Sequence, residues 1–163
     1  VSGPMAKDPD PTVELTTVRG VTRTLDDWTT TFHLAATVLP GRPEASAYVR
    51  IGRRIAATLG GSDCRPAFVV VGNERAARRV LGSTADDHLC FLDPDGAFVK
   101  SCGLAKLPAF VHIRVDGTLA GAAEGWDPEA WDDTVTRLAK EMAWTHPLIP
   151  APGDPAPFSG WNT

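Results

Sequence analysis

The sequence predicts an α/β fold, a three-layer sandwich with a mixed central sheet flanked by helices, and three observations carry that expectation. Thr31–Val38 (TFHLAATV) and Cys64–Val71 (CRPAFVVV) are apolar runs of strand length, as expected of interior strands covered on both faces. Between them Tyr48, Ile51, Ile55 and Leu59 recur at helical spacing, so the two strands are joined by a helical crossover and lie parallel. Further on, Phe110–Val115 alternates and runs into Asp116-Gly117, a hairpin signal that supplies an antiparallel partner. A parallel unit followed by a hairpin requires a mixed sheet.

Taken in order, Asp8–Pro11 reads as a loop. Val13 and Leu15 on one side of Arg19-Gly20, with Val21 and Arg23 on the other, make a short hairpin-like entry. Thr24–Trp28 (TLDDW) holds a turn-forming polar pair and an aromatic anchor, with Trp28 a core plug. The first interior strand runs into LPGRPEA and the amphipathic helix, which Gly60 and Gly61 stop. After the second strand, Asn73 is an N-cap for a helix through Ala76, Ala77, Val80 and Leu81 that ends at Gly82. Leu89–Leu92 is a further short strand, and Asp93 and Asp95 can cap the short helix that Gly103 ends. In the strand before the hairpin, Val111, Ile113 and Val115 share one face and Phe110, His112 and Arg114 the other. Asp127-Pro128-Glu129 opens a last helix with a cap, a proline at the first position and an acid at the positive end of the dipole. Its buried face is Trp131, Val135, Leu138 and Met142, and Trp126 and Trp131 are read as packing residues.

Residues 1–11 are read as a cleavage remnant (Val1–Pro4), a natural start at Met5 and an N-terminal loop; residues 12–143 form one domain; 144–163 is a proline-rich tail. The tail holds Pro147, Pro150, Pro152, Pro155 and Pro157, which forbid a helix and favour extended chain. Two readings stand for it: a disordered tail, or a strap whose Leu148, Ile149, Phe158 and Trp161 lie in a groove of the same or a neighbouring molecule. At 163 residues the chain can bury an ordinary core without staples. A net charge of −4 gives no footprint for nucleic acid or an anionic membrane, and no run is long and apolar enough to span a bilayer. Three scattered cysteines and no signal peptide fit a reducing cytoplasm.

The run LCFLDPDGAFVKSCGLAKLPAFVHIRVDGTLAG (Leu89–Gly121) resembles the second half of a thioredoxin-like domain of the TlpA-like and AhpC-TSA-related branch. There, DPDG opens a short helix, a glycine ends it, an aliphatic-Pro pair enters a strand and a DG turn folds it back. The resemblance covers most of residues 12–143. It implies a cis peptide at Pro108 beside the family's reactive site, and a C-x-x-C turn between the first strand and its helix. On that register Arg42 and Ala45 stand at the two cysteine positions with Pro43-Glu44 between them, so the motif is degenerate. The thiolate at a helix N-terminus and the resolving thiol that this chemistry needs are both missing. The peroxiredoxin pattern is missing too.

Three thiols remain as candidates. Cys90 reads as a small hydrophobe in an apolar strand, and Cys102, one turn after Phe98, is the cysteine nearest the family's reactive site. Cys64, beside Arg65, reads as more exposed, with a lowered pKa within reach. Cys90 and Cys102 could pair if geometry allowed. His33, His88, His112 and His146 show no metal spacing, and the residues call for no metal and no cofactor. Arg42 at a helix start could hold an anion, or be a solvated arginine.

Two functional readings follow. One is a non-catalytic binding or assembly module that takes a protein or an extended peptide in a groove of Arg42, Pro43, Glu44, Leu107 and Pro108, where the resemblance places substrate backbone. The alternative is a thiol-disulfide oxidoreductase or peroxide-responsive protein with Cys102 as nucleophile and Cys90 or Cys64 resolving. Homo-oligomer formation through a sheet edge or the tail fits either.

Overall fold

The structure, a computed structural model, describes residues 6–163. The expected remnant Val1–Pro4 and start at Met5 lie outside the described residues. Nine strands occur among them, β1 (Glu14–Thr17), β2 (Thr22–Thr24), β3 (His33–Pro40), β4 (Cys64–Val71), β5 (Cys90–Leu92), β6 (Lys106–Leu107), β7 (Ala109–Ile113), β8 (Leu119–Glu124) and β9 (Trp161–Asn162). The helices are α1 (Leu25–Trp28), α2 (Val49–Leu59), α3 (Glu74–Leu81), α4 (Thr84–Asp87), α5 (Ala97–Ser101) and α6 (Pro128–Glu141), with a 3-10 turn over Pro43–Tyr48.

The main sheet has seven strands in the order β2-β1-β5-β4-β3-β7-β8. β3 runs parallel to β4 and β4 to β5, whereas β7 is antiparallel to β3 and β8 to β7. The mixed sheet follows from the connections: helical crossovers join the parallel strands, and the three-residue turn Val115–Gly117 returns the last pair.

Each interior strand feeds two cores because successive side chains point to opposite faces. Ala35 and Leu39 of β3 and Phe68 and Val70 of β4 pack with Ile51, Ile55 and Leu59 of α2 and Trp131, Val135 and Leu138 of α6. Leu34, Ala36, Val38, Ala67 and Val69 pack on the other side with Leu25 and Trp28 of α1 and Phe98 and Val99 of α5. Helices thus cover both faces, which makes the three layers.

The local signals act as expected, with three corrections. Asn73 accepts from Ala76 N at 2.9 Å and Asp127 from Ala130 N at 3.2 Å, so both caps form. At α5 the cap is Asp93 alone, whose buried carboxylate accepts from Phe98 N at 3.0 Å and Val99 N at 3.2 Å; Asp95 is exposed. Val115 is 39% exposed rather than in line with Val111 and Ile113, because β7 stops at Ile113 and Arg114 closes the turn by donating to Thr118 O. The chain after β3 enters a 3-10 turn led by Pro43 before α2 begins.

Residues 144–163 form the strap and lie against the same molecule. An extended proline-rich chain cannot satisfy its own carbonyls. Arginines of α2 do so: Arg50 donates to Gly153 O at 3.0 Å and Pro152 O at 3.2 Å, and Arg54 to Leu148 O at 3.0 Å. Arg54 also grips Asp154 through bonds of 2.9 and 2.6 Å, with the Asp154 side chain 2% exposed. Ile149 is buried, but Leu148 is 64% exposed and is no anchor, since its own carbonyl is the group held. Burial opposes ionisation of Asp154, and the Arg54 and Ala151 hydrogen bonds outweigh it, holding the carboxyl below its ordinary value. That stabilisation is complete above the unfolded carboxylate range and is lost as pH falls through the lowered folded value. Acidification below about pH 4, or Arg54→Ala at about 2–3 kcal/mol, should therefore loosen the strap first. Hydrogen exchange over residues 148–163 checks it; the strap keeping its protection in the variant would count against the pairing.

Candidate functional site

The strap ends in the place where the sequence reading put a binding groove. Gly103 ends α5, and the following backbone is held on one side by Glu124, whose Oε1 accepts from Ala105 N at 2.5 Å and Lys106 N at 3.2 Å. This presents β6 edge-on, immediately before a cis peptide between Leu107 and Pro108. Its free edge pairs antiparallel with β9, Lys106 opposite Asn162 and Leu107 opposite Trp161. Thr163 extends the ladder by donating from N to Ala105 O at 3.1 Å and from Oγ1 to Leu104 O at 2.9 Å. Upstream, Phe158 and Trp126 exchange backbone hydrogen bonds of 2.7 and 2.9 Å.

Two glycines permit this approach. A Cβ on Gly125 (φ +70°) would lie 2.6 Å from Ser159 O, and one on Gly160 (φ +100°) would lie 2.9 Å from Leu107 O. Either side chain would push the strap off its seat.

Arg42 stands at the start of the 3-10 turn, with its guanidinium 5.1 Å from the Trp161 ring and Nε 3.4 Å from Glu44 Oε2. Trp161 also packs edge-on to Tyr48 at 5.9 Å and to Phe158 at 4.8 Å. The structure thus brings Arg42 and Leu107 together at Trp161, with Pro108 next in the chain. Pro43 and Glu44 stay exposed. In this molecule the groove is occupied: Leu107 and Pro108 are buried, the β6 edge is paired with β9, and Phe158 and Trp161 are half-buried against it.

The thiols lie elsewhere. Cys64 is 4%, Cys90 2% and Cys102 0% exposed, and all three are free. Burial pushes each pKa up to about 12. The expectation of an exposed, acidic Cys64 is corrected: its side chain falls on the inward face of the first residue of β4. Cys90 and Cys102 belong to the cores on opposite sides of the sheet, so the pairing left open by sequence is excluded by the strands between them.

A second polar cluster was not visible in the sequence. His33 Nδ1 lies 2.8 Å from His112 Nε2, and Glu141 Oε2 lies 3.6 and 4.0 Å from these two atoms. The first residue of β3, the penultimate residue of β7 and the last residue of α6 meet here. The histidines are 79 positions apart, so no local spacing could reveal them. Strand alternation gave the only signal, since His33 and His112 fall on the face that α6 covers. Arg114 holds Glu141 through bonds of 3.0 and 2.9 Å and keeps its carboxyl ionised below the usual range. Burial, opposed by Glu141, lowers His112 to about 4, so the ring is neutral at pH 7.

No protein-family model matches the sequence, and no curated protein matches it. Solved structures do. A secreted Mycobacterium tuberculosis disulfide oxidoreductase homologous to E. coli DsbE superposes with a TM-score of 0.60 at 18% identity, over 79% of this chain and 96% of that one. Xanthomonas campestris peroxiredoxin Q gives 0.67 at 13%, over 87% and 99%. A hypothetical protein from Sinorhizobium meliloti 1021 gives 0.63 at 14%, over 97% and 93%. With a mixed sheet in which β3, β4 and β5 are parallel and β7 and β8 antiparallel, a cis peptide at the head of β7 and these likenesses, the chain has the thioredoxin-like fold.

Proposed function

We propose that this chain is a non-catalytic thioredoxin-fold binding module whose recognition edge is the backbone just before Pro108. The observation that carries the reading is the β6–β9 ladder: this edge takes an extended segment antiparallel, with one aromatic side chain seated between Arg42 and Tyr48. Strand addition of this kind draws affinity from main-chain hydrogen bonds and selectivity from the side-chain seat. A partner protein engages by replacing the strap. The displaced-thiol alternative needs a thiolate in contact with solvent, whereas a thiol near pKa 12 is ionised only to roughly one part in 10⁵ at pH 7. Three free thiols suit a reducing compartment.

The test uses a fluorescently labelled peptide of the sequence PAPFSGWNT (Pro155–Thr163) added to the full chain. The double variant Phe158→Ala/Trp161→Ala should bind it saturably by anisotropy, while the wild-type chain, already occupied, should not. A folded double variant that ignores the peptide would sink the reading.

A further inference from the structure

We propose that His33, His112 and Glu141 form a binding site for a borderline divalent transition-metal ion of the Zn²⁺ class. The three donor atoms make a triangle with sides of 2.8, 3.6 and 4.0 Å. The point equidistant from them falls inside the triangle, about 2.1 Å from each, which matches zinc–imidazole and zinc–carboxylate bond lengths. Two imidazoles and one carboxylate are a donor set that this class of ion prefers, and three protein ligands leave a further position for water.

The elements that supply the ligands are rigid. Ala35 pairs directly with His112 across β3 and β7, which fixes His33 diagonally beside it on the same face. Glu141 is the last residue of α6, whose Leu138 and Ala139 are buried in the core beneath. The histidine rings meet nearly end to end, with centroids 5.1 Å apart and planes 28° apart, and share one proton across the 2.8 Å contact. An ion replaces that proton, which moves to the outer nitrogen of the same ring. The two nitrogens then part by about half an ångström to the roughly 3.3 Å spacing of a tetrahedral site, and both rings turn so that lone pairs now facing each other converge on the ion. His33, with 17% of its side chain exposed, and Glu141, with 33%, give the ion a path from solvent.

Arg114 acts in two directions. Its paired bonds orient the Glu141 carboxylate, as outer partners of metal ligands do, while its charge weakens binding. This tempers the affinity without removing a ligand atom, because each carboxylate oxygen keeps a lone pair.

The experiment is calorimetric titration of ZnCl₂ into the full chain free of any polyhistidine tag, alongside Co²⁺ titration followed by visible absorption. One ion per chain should bind, with the intense bands of a low-coordinate cobalt site. His33→Ala and Glu141→Gln, both at partly exposed positions, should each weaken binding at least tenfold while the circular dichroism stays native. His146→Ala, in the strap, should leave it unchanged. The absence of saturable binding to wild type, or binding that survives both ligand variants, would overturn the assignment. Peptide capture by the β6 edge is a separate readout, so either proposal can fail alone.

Discussion

Near neutral pH the three thiols of the native protein should alkylate on the order of a thousandfold more slowly than an unperturbed cysteine. Each pKa is raised from 9.0 to about 12, which removes that factor of thiolate before any steric barrier to the reagent is counted. Mass spectrometry after timed iodoacetamide treatment reads each site separately, and denaturant should release all three to ordinary rates together. Mild peroxide should leave them reduced. The position that matters most is Cys102: fast labelling there, or a reversible disulfide, would move the balance to the oxidoreductase alternative.

Trp126→Ala should be among the most destabilising single changes in the chain. The side chain is 0% exposed, sits edge-on to Trp131 at 5.2 Å and lies 6.3 Å from Tyr48. Its Nε1 donates to Pro155 O at 2.8 Å, so the indole joins the end of the sheet to the strap. Emptying a buried aromatic site costs roughly 3–5 kcal/mol, and at about 2–4 °C per kcal/mol for a chain of this size the melting temperature should fall by about 6–20 °C. Trp126→Phe keeps most of the apolar contact and loses the hydrogen bond, so its loss should be about 1–2 kcal/mol. Equal losses for the two variants in urea unfolding would show that the indole volume is not what matters.

The sheet was legible because its signals are local. β-branched apolar runs, glycine stops, Asn73 and Asp127 caps and the Asp116-Gly117 turn each specify their own few residues, and the rest of the chain agrees with them. Pro108 was legible through resemblance rather than through physics. The site was only half legible: Arg42, Leu107 and Pro108 were named, and Phe158 and Trp161 were named as anchors of a strap, but nothing in the sequence joined the two. Proline-rich composition describes the backbone of residues 144–163 well and says nothing of Arg50 and Arg54, a hundred positions earlier, which hold it. The Cys64 expectation failed for a related reason, since exposure at a strand mouth depends on what packs over it. The His33, His112 and Glu141 cluster comes from three distant elements, and only the folded register joins them.

Tethering gives the β6–β9 ladder a property that a free ligand would lack. A segment joined to its own groove competes at an effective concentration on the order of millimolar, whatever the concentration of the protein. On the proposed reading, a visiting chain would meet a threshold rather than an empty edge, and a weak, generic extended peptide at micromolar level would hardly displace the resident one. That threshold would be set by the fit of Phe158 and Trp161 in the groove and by the grip of Arg54 on Asp154 outside it, so the affinity for every visitor could be tuned at a position none of them touches.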